Sequence, residues 1–239
     1  MVEASEIKGV EKDVIDQSAR YLLGFLVAAI SLELLDLIFR GYTAMKSWDI
    51  LRSVMYGKDF VNAGDKEWGR KMQDDLTDAV NWAVEAGYAD PEKIAIYGGS
   101  YGGYAALVAA SRTPQIHQCV IAGAAVSDTL MQVGYYSDRM RGAQEIEQIN
   151  MWRDSVNPID EAENVNVPML LIHGSVDQRV PPAHVRKYLD ELDKYNKSYK
   201  YVELDGADHF SNTLFYHHQY DLYTSMIEFL KNDCGPGGL

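Results

Sequence analysis

Apolar and polar positions alternate along the chain in two different rhythms. Met72, Leu76, Ala79, Val80, Ala83 and Val84 recur at helical spacing, and Gly87 with the Asp90-Pro91 turn closes that stretch. A short apolar run follows, Ile94-Ala95-Ile96-Tyr97, bounded by glycines and predicted as a buried strand. Tyr104 to Ala110 reads as a helix of small residues ending near Pro114. The alternation then repeats. Cys119 to Ala125 is strand-like, and Met169-Leu170-Leu171-Ile172 after Pro168 predicts another buried strand. Val185, Tyr188, Leu189 and Leu192 share a helix face that starts at Pro181-Pro182. Tyr199 to Leu204 is a further strand and Tyr220 to Leu230 a closing helix. Strands alternating with helices at this spacing predict an α/β fold, a mostly parallel sheet covered by helices on both faces.

Two stretches break the pattern. Between Ser127 and Val167 no period emerges, and polar residues mix with Tyr135, Tyr136 and Trp152. Insertions at the carboxyl ends of strands line the crevice of open α/β sheets. Leu130, Met131, Tyr135 and Tyr136 are therefore candidate substrate-lining residues, with a plain helical excursion as the alternative. The other stretch is Tyr21 to Ile38, apolar apart from Glu33 and Asp36. A membrane helix needs about 20 apolar residues. Each acid near its centre costs roughly 2.5–3.5 kcal/mol. A buried strand over Tyr21–Ala29 followed by a helix over Leu32–Phe39 is the favoured reading, and a membrane span is disfavoured.

The expected organisation is an atypical segment at 1–40, a catalytic domain at 41–232 and a flexible Gly-rich tail at 233–239. The sequence has 239 residues with 22 Lys+Arg against 35 Asp+Glu, a formal net charge of −13. It lacks the clustered basic stripe that a nucleic-acid backbone requires, so nucleic acid is not an expected partner. Only Cys119 and Cys234 occur, without CxxC spacing, which implies no disulfide framework and no metal site; Cys119 is expected as a buried thiol. The start lacks the basic region of a secretory signal, leaving the cytoplasm as the default location.

The chemistry concentrates in Gly98-Gly99-Ser100-Tyr101-Gly102-Gly103, directly between a predicted strand and a predicted helix. A serine on a sharp strand-to-helix turn needs small neighbours, and the turn lifts its hydroxyl above the sheet edge. The Tyr101 amide is then the expected oxyanion donor. A phosphate-cradling loop is the alternative, but no Gly-Lys-Ser/Thr follows.

A nucleophilic serine needs a base, and the base an orienting carboxylate, in chain order Ser, acid, His. Asp177 follows the strand Met169–Ile172, and His209 follows the strand Tyr199–Leu204. Both fall at the sheet edge expected for Ser100. Asp208 and the more distant Asp205 are rivals for the acid, although neighbours in a tight loop seldom face each other. His117, His184, His217 and His218 are expected at the surface or in helix packing, with His173 bracing the acid loop.

Four stretches carry a family resemblance: Trp68-Gly69-Arg70-Lys71-Met72-Gln73-Asp74-Asp75, Tyr97 to Tyr104, His173 to Pro181, and Gly206-Ala207-Asp208-His209. From about Gly41 to Leu230 the chain resembles the catalytic domain of the prolyl oligopeptidase family of serine peptidases, in its acylaminoacyl-peptidase and dipeptidyl-peptidase-like branches. The resemblance implies an α/β-hydrolase fold, shortened at its N-terminal side, with Ser100, Asp177 and His209 as the triad and no cofactor. It departs from the family in two respects. No stretch here matches the β-propeller that family peptidases carry, nor the His-Gly-Gly-Pro stretch near the oxyanion hole. The second oxyanion donor is left to the Ala29 or Ile30 amide.

The resulting expectation is a serine hydrolase acting on small carboxylic esters, with a slight lean to carboxylesterase activity, and on short peptides or acyl-amino acids. The alternative is a weakly active or inactive hydrolase-fold domain serving in binding or assembly, with homo-oligomer formation through the apolar segment 21–39.

Overall fold

A computed structural model describes residues 64, 66–137, 142, 146, 149, 152, 154–209, 213–236 and 238–239. The expected strand at 21–29, helix at 32–39 and donor at Ala29 or Ile30 lie outside them. The described elements run α1 (Lys71–Glu85), β1 (Ala95–Gly99), α2 (Tyr101–Ser111), β2 (Cys119–Gly123), α3 (Thr129–Ser137), a 3-10 helix (Pro158–Asn164), β3 (Met169–Gly174), α4 (Ala183–Lys194), β4 (Tyr199–Leu204) and α5 (Tyr216–Asn232).

The four strands form one parallel sheet in the order β1-β2-β3-β4. All six β3 residues are buried, as a near-continuous apolar run between two neighbours should be. Strand alternation divides the core in two. Ile96, Val120, Ala122, Met169 and Leu171 face one side and pack with Leu107 and Ala110 of α2, Tyr188 and Leu192 of α4 and Ala162 of the 3-10 helix. Cys119, Ile121, Leu170, Ile172 and Leu204 face the other and pack with Met226 and Phe229 of α5. The sheet is thus covered on both faces, as the alternation of rhythms predicts.

Cys119 and Cys234 form a disulfide, which corrects the expectation of a buried thiol. Cys234 is fully buried against the α5 side of the sheet. Sequence spacing could not show this, because the two cysteines are 115 residues apart and meet only when α5 folds back across β2.

Candidate active site

Ser100 sits between the last residue of β1 and the first residue of α2, at φ 58 and ψ −115. A side chain other than glycine rarely occupies that region, and an observed outlier of this kind marks a position fixed by its surroundings. Two glycines make the turn feasible. A Cβ on Gly98 would lie 2.3 Å from the Gly102 carbonyl carbon, and one on Gly103 would lie 2.6 Å from the Gly123 carbonyl oxygen. The Ser100 amide donates to the Gly123 carbonyl (2.9 Å), pinning the turn to the end of β2.

The loops after β3 and β4 bring the other two residues to this edge. His209 Nε2 is 2.9 Å from Ser100 Oγ, and His209 Nδ1 is 2.7 Å from Asp177 Oδ2. Asp177 Oδ1 accepts the amides of Arg179 (2.8 Å) and Val180 (2.9 Å). Burial alone would push the Asp177 carboxyl up, but its hydrogen bonds to His209 and to the two amides outweigh that and hold it below the ordinary carboxylate range. The arrangement can hold one imidazole tautomer, with Nδ1–H toward Asp177 and Nε2 open to the serine proton.

Rival residues separate cleanly. Asp208 Oδ1 accepts the amides of Gln178 (3.3 Å) and His209 (2.7 Å). It ties the two loops together through their backbone amides. Asp205 Oδ1 accepts from Ser175 Oγ at 3.1 Å. His173 braces the acid loop as expected: its Nε2–H donates to the Val180 carbonyl (2.8 Å), and burial keeps the ring neutral by lowering its pKa. His184 and His218 are both buried helix-packing residues. His218 Nε2 also reaches the Asp205 carbonyl at 2.7 Å, supporting the loop that carries His209. Sequence reasoning gave His218 no such role, and its only signal is a histidine in the first turn of α5.

Gly174 was equally silent in the sequence. A Cβ there would lie 2.3 Å from the Ala207 carbonyl oxygen, so only glycine lets the acid loop and the histidine loop close on each other.

The aperiodic stretch contains α3, which follows β2 at the same sheet edge. Leu130 is exposed and Met131 half-buried. Tyr135 and Tyr136 turn their hydroxyls onto backbone carbonyls of the acid loop, at Gln178 (2.5 Å) and Arg179 (3.1 Å). Tyr101, the expected oxyanion donor, is the first residue of α2. Its ring lies 4.4 Å from that of Trp68, centroid to centroid. Among the described residues no group of His, Cys, Asp and Glu could hold a metal ion, and no helix is long and apolar enough to cross a membrane.

Residues 42–237 match the model of the prolyl oligopeptidase family, Peptidase_S9. The chain is 34% identical over 180 residues to dipeptidyl aminopeptidase BIII of Pseudoxanthomonas mexicana, covering 71% of this chain and 26% of that protein. It is 36% identical over 181 residues to dipeptidyl peptidase family member 6 of Caenorhabditis elegans, covering 71% of this chain and 24% of that protein. The chain thus spans about a quarter of the length of these relatives. Among solved structures, an acylaminoacyl peptidase of Pyrococcus horikoshii superposes with a TM-score of 0.65 at 23% identity, over 75% of this chain and 30% of that one, a likeness of fold.

Proposed function

The chain belongs to the prolyl oligopeptidase family, and from that premise we propose that it is a serine-type peptidase whose nucleophile, base and acid are Ser100, His209 and Asp177. The observation that carries this reading is the unbroken relay from Ser100 Oγ to His209 Nε2 (2.9 Å) and from His209 Nδ1 to Asp177 Oδ2 (2.7 Å). His209 Nε2 takes the hydroxyl proton as Ser100 Oγ bonds to the substrate carbonyl carbon. The oxygen of that carbonyl becomes the oxyanion, and the Tyr101 N–H is its proposed donor. Collapse breaks the scissile bond while His209 passes its proton to the leaving group. A water, deprotonated by the same nitrogen, then releases the acyl group from Ser100.

The proposed substrates are short peptides and N-acylated amino acids. Small carboxylic esters belong with them, because an alkoxide is a better leaving group than an amide nitrogen and the same acyl-enzyme serves both. Leu130, Met131, Tyr135 and Tyr136 are proposed to border the bound acyl or peptide group from α3. No cofactor is required by this chemistry. For location, the Cys119–Cys234 disulfide supports an oxidising compartment over the cytoplasm.

Labelling with a fluorophosphonate probe, read by intact mass, tests the reading. One adduct on the wild type, lost in Ser100→Ala and in His209→Ala, is the expected result. A folded wild type that takes no adduct would shift the function to binding or assembly. Paired ester and anilide substrates then separate the two activities; turnover confined to the ester would remove the peptidase assignment.

A further inference from the structure

The turn from Asp177 to Val180 has an unusually complete set of backbone partners. Its four amides are all donated: Asp177 to the Gly174 carbonyl (3.3 Å), Gln178 to Asp208 Oδ1 (3.3 Å), and Arg179 and Val180 to Asp177 Oδ1. The carbonyls of Gln178, Arg179 and Val180 all accept from side chains. His173 supplies the bond to Val180, and the other acceptors are served by a single helix, α3: Tyr135 hydroxyl to Gln178, and Gln132 Nε2 (2.9 Å) with Tyr136 hydroxyl to Arg179.

We propose that Gln132, Tyr135 and Tyr136 are positioning residues, which hold the Asp177 carboxylate against His209 by fixing the carbonyl side of its turn. The inference rests on the triad reading above. The logic is geometric. The amides of residues 179 and 180 aim Asp177 Oδ1, and each of these amides is rigidly joined to the carbonyl that precedes it in the same peptide plane. The Gln178 carbonyl shares its plane with the Arg179 amide, and the Arg179 carbonyl shares its plane with the Val180 amide. Anchoring the two carbonyls on α3 therefore fixes the two donors that orient the acid.

Gln132 gives the strongest indication. Its side chain is buried and its Oε1 has no hydrogen-bond partner, an arrangement that destabilises the fold. An apolar residue of similar size would avoid that penalty, but it would leave Arg179 with one anchor fewer. Tyr136 is suited to the same task, since burial pushes its hydroxyl pKa up and keeps it a donor.

The test uses the full chain carrying Gln132→Leu, Tyr136→Phe and the pair together. Two quantities are read: the kcat and KM on a chromogenic substrate that the wild type turns over, and the low-field proton NMR signal of the His209 Nδ1–H···Asp177 bond. The expected result for the pair is a kcat lower by about ten- to a hundredfold, since small misplacements near the reacting groups have effects of that size. The low-field signal of the pair broadens or shifts, while Gln132→Leu alone, at a residue outside the proposed substrate border, keeps KM within about twofold and keeps or raises the melting temperature. A pair variant with wild-type kcat and an unmoved signal overturns the inference, as does a loss of kcat that only tracks a fall in melting temperature. If the wild type has no turnover, the hydrolase reading fails separately, and the NMR signal still decides whether α3 positions Asp177.

Discussion

Gly98 and Gly102 approach so closely that a Cβ on Gly98 would stand 2.3 Å from the Gly102 carbonyl carbon, whereas a Cβ on Gly102 would meet nothing within 4 Å. The two glycines of the Gly-x-Ser-x-Gly motif therefore have unequal roles. Gly98→Ala is expected to push the turn apart, abolish probe labelling of Ser100 and lower stability by about 1–3 kcal/mol, the usual effect of forced overpacking. Gly102→Ala, inside α2, is expected to keep the fold and raise the melting temperature, because alanine is the better helix former by about 1 kcal/mol. Thermal melts of both variants beside the labelling assay check the asymmetry.

Asp177→Asn preserves the Oδ1 that accepts the Arg179 and Val180 amides but offers His209 an NH2 group where a carboxylate oxygen stood. The imidazole is then driven toward the tautomer that carries a proton on Nε2, and it cannot take one from Ser100. A fall in kcat of roughly 10³–10⁴ with a near-native melting curve is expected. Pre-steady-state acylation measured on the variant would show the loss in the chemical step.

Stability should fall on mild acidification. Burial lowers the pKa of His117 and of His184 to about 4, from 6.5. Below pH 6.5 the unfolded chain therefore binds protons at these two histidines that the folded molecule does not, with buried His173 acting in the same direction. Stability declines between pH 6.5 and 4 by roughly 1.4 kcal/mol per pH unit for each of His117 and His184. Asp177 works in the same direction at lower pH. Its folded pKa lies below the ordinary value, so its contribution is present above the carboxylate range and disappears as pH falls through the folded value. Urea midpoints at pH 7, 6 and 5 give the slope. A His117→Gln variant should lose part of it, and an unchanged slope would show that His117 is not buried neutral.

The Cys119–Cys234 disulfide closes a loop with a sequence separation of 115. Removing such a constraint typically costs about 2–5 kcal/mol. Cys234→Ser is expected to lower the denaturant midpoint without touching the Ser100–His209 distance, since both sulfurs lie on the α5 face of the sheet. Thiol titration of the denatured wild type should find no free cysteine when the protein is prepared under oxidising conditions. Two free thiols there would remove the crosslink and with it the support for an oxidising compartment.

Much of the site was legible in the chain because each of its residues follows a strand directly. A parallel sheet sends the end of every strand to one edge, so identifying the strands before Ser100, Asp177 and His209 was enough to predict a shared location. Short strand-like runs set between stretches of helical spacing also placed β4 at Tyr199–Leu204 and the helices that cover the two faces. The α3 region was opaque for a physical reason. Its residues Gln132, Tyr135 and Tyr136 hydrogen-bond to carbonyls of the acid loop, contacts that need polar reach and not a repeating apolar face, so no hydrophobic period results.

What the sequence by itself determined is the local chemistry: a serine flanked by small residues between a strand and a helix, and an acid and a histidine in later loops. Tertiary structure alone decided the partnerships across the chain. The carboxylate of Asp208, adjacent to His209, accepts the backbone amides of Gln178 and His209, while that of Asp177, 32 residues away, reaches the imidazole ring. Cys119 likewise meets Cys234 only because α5 returns over β2. Periodicity reports which face of an element is buried. It carries no information on which residue of another element will be found there, because that depends on how the loops fold over the sheet edge and on where glycines such as Gly98 and Gly174 allow backbones to touch.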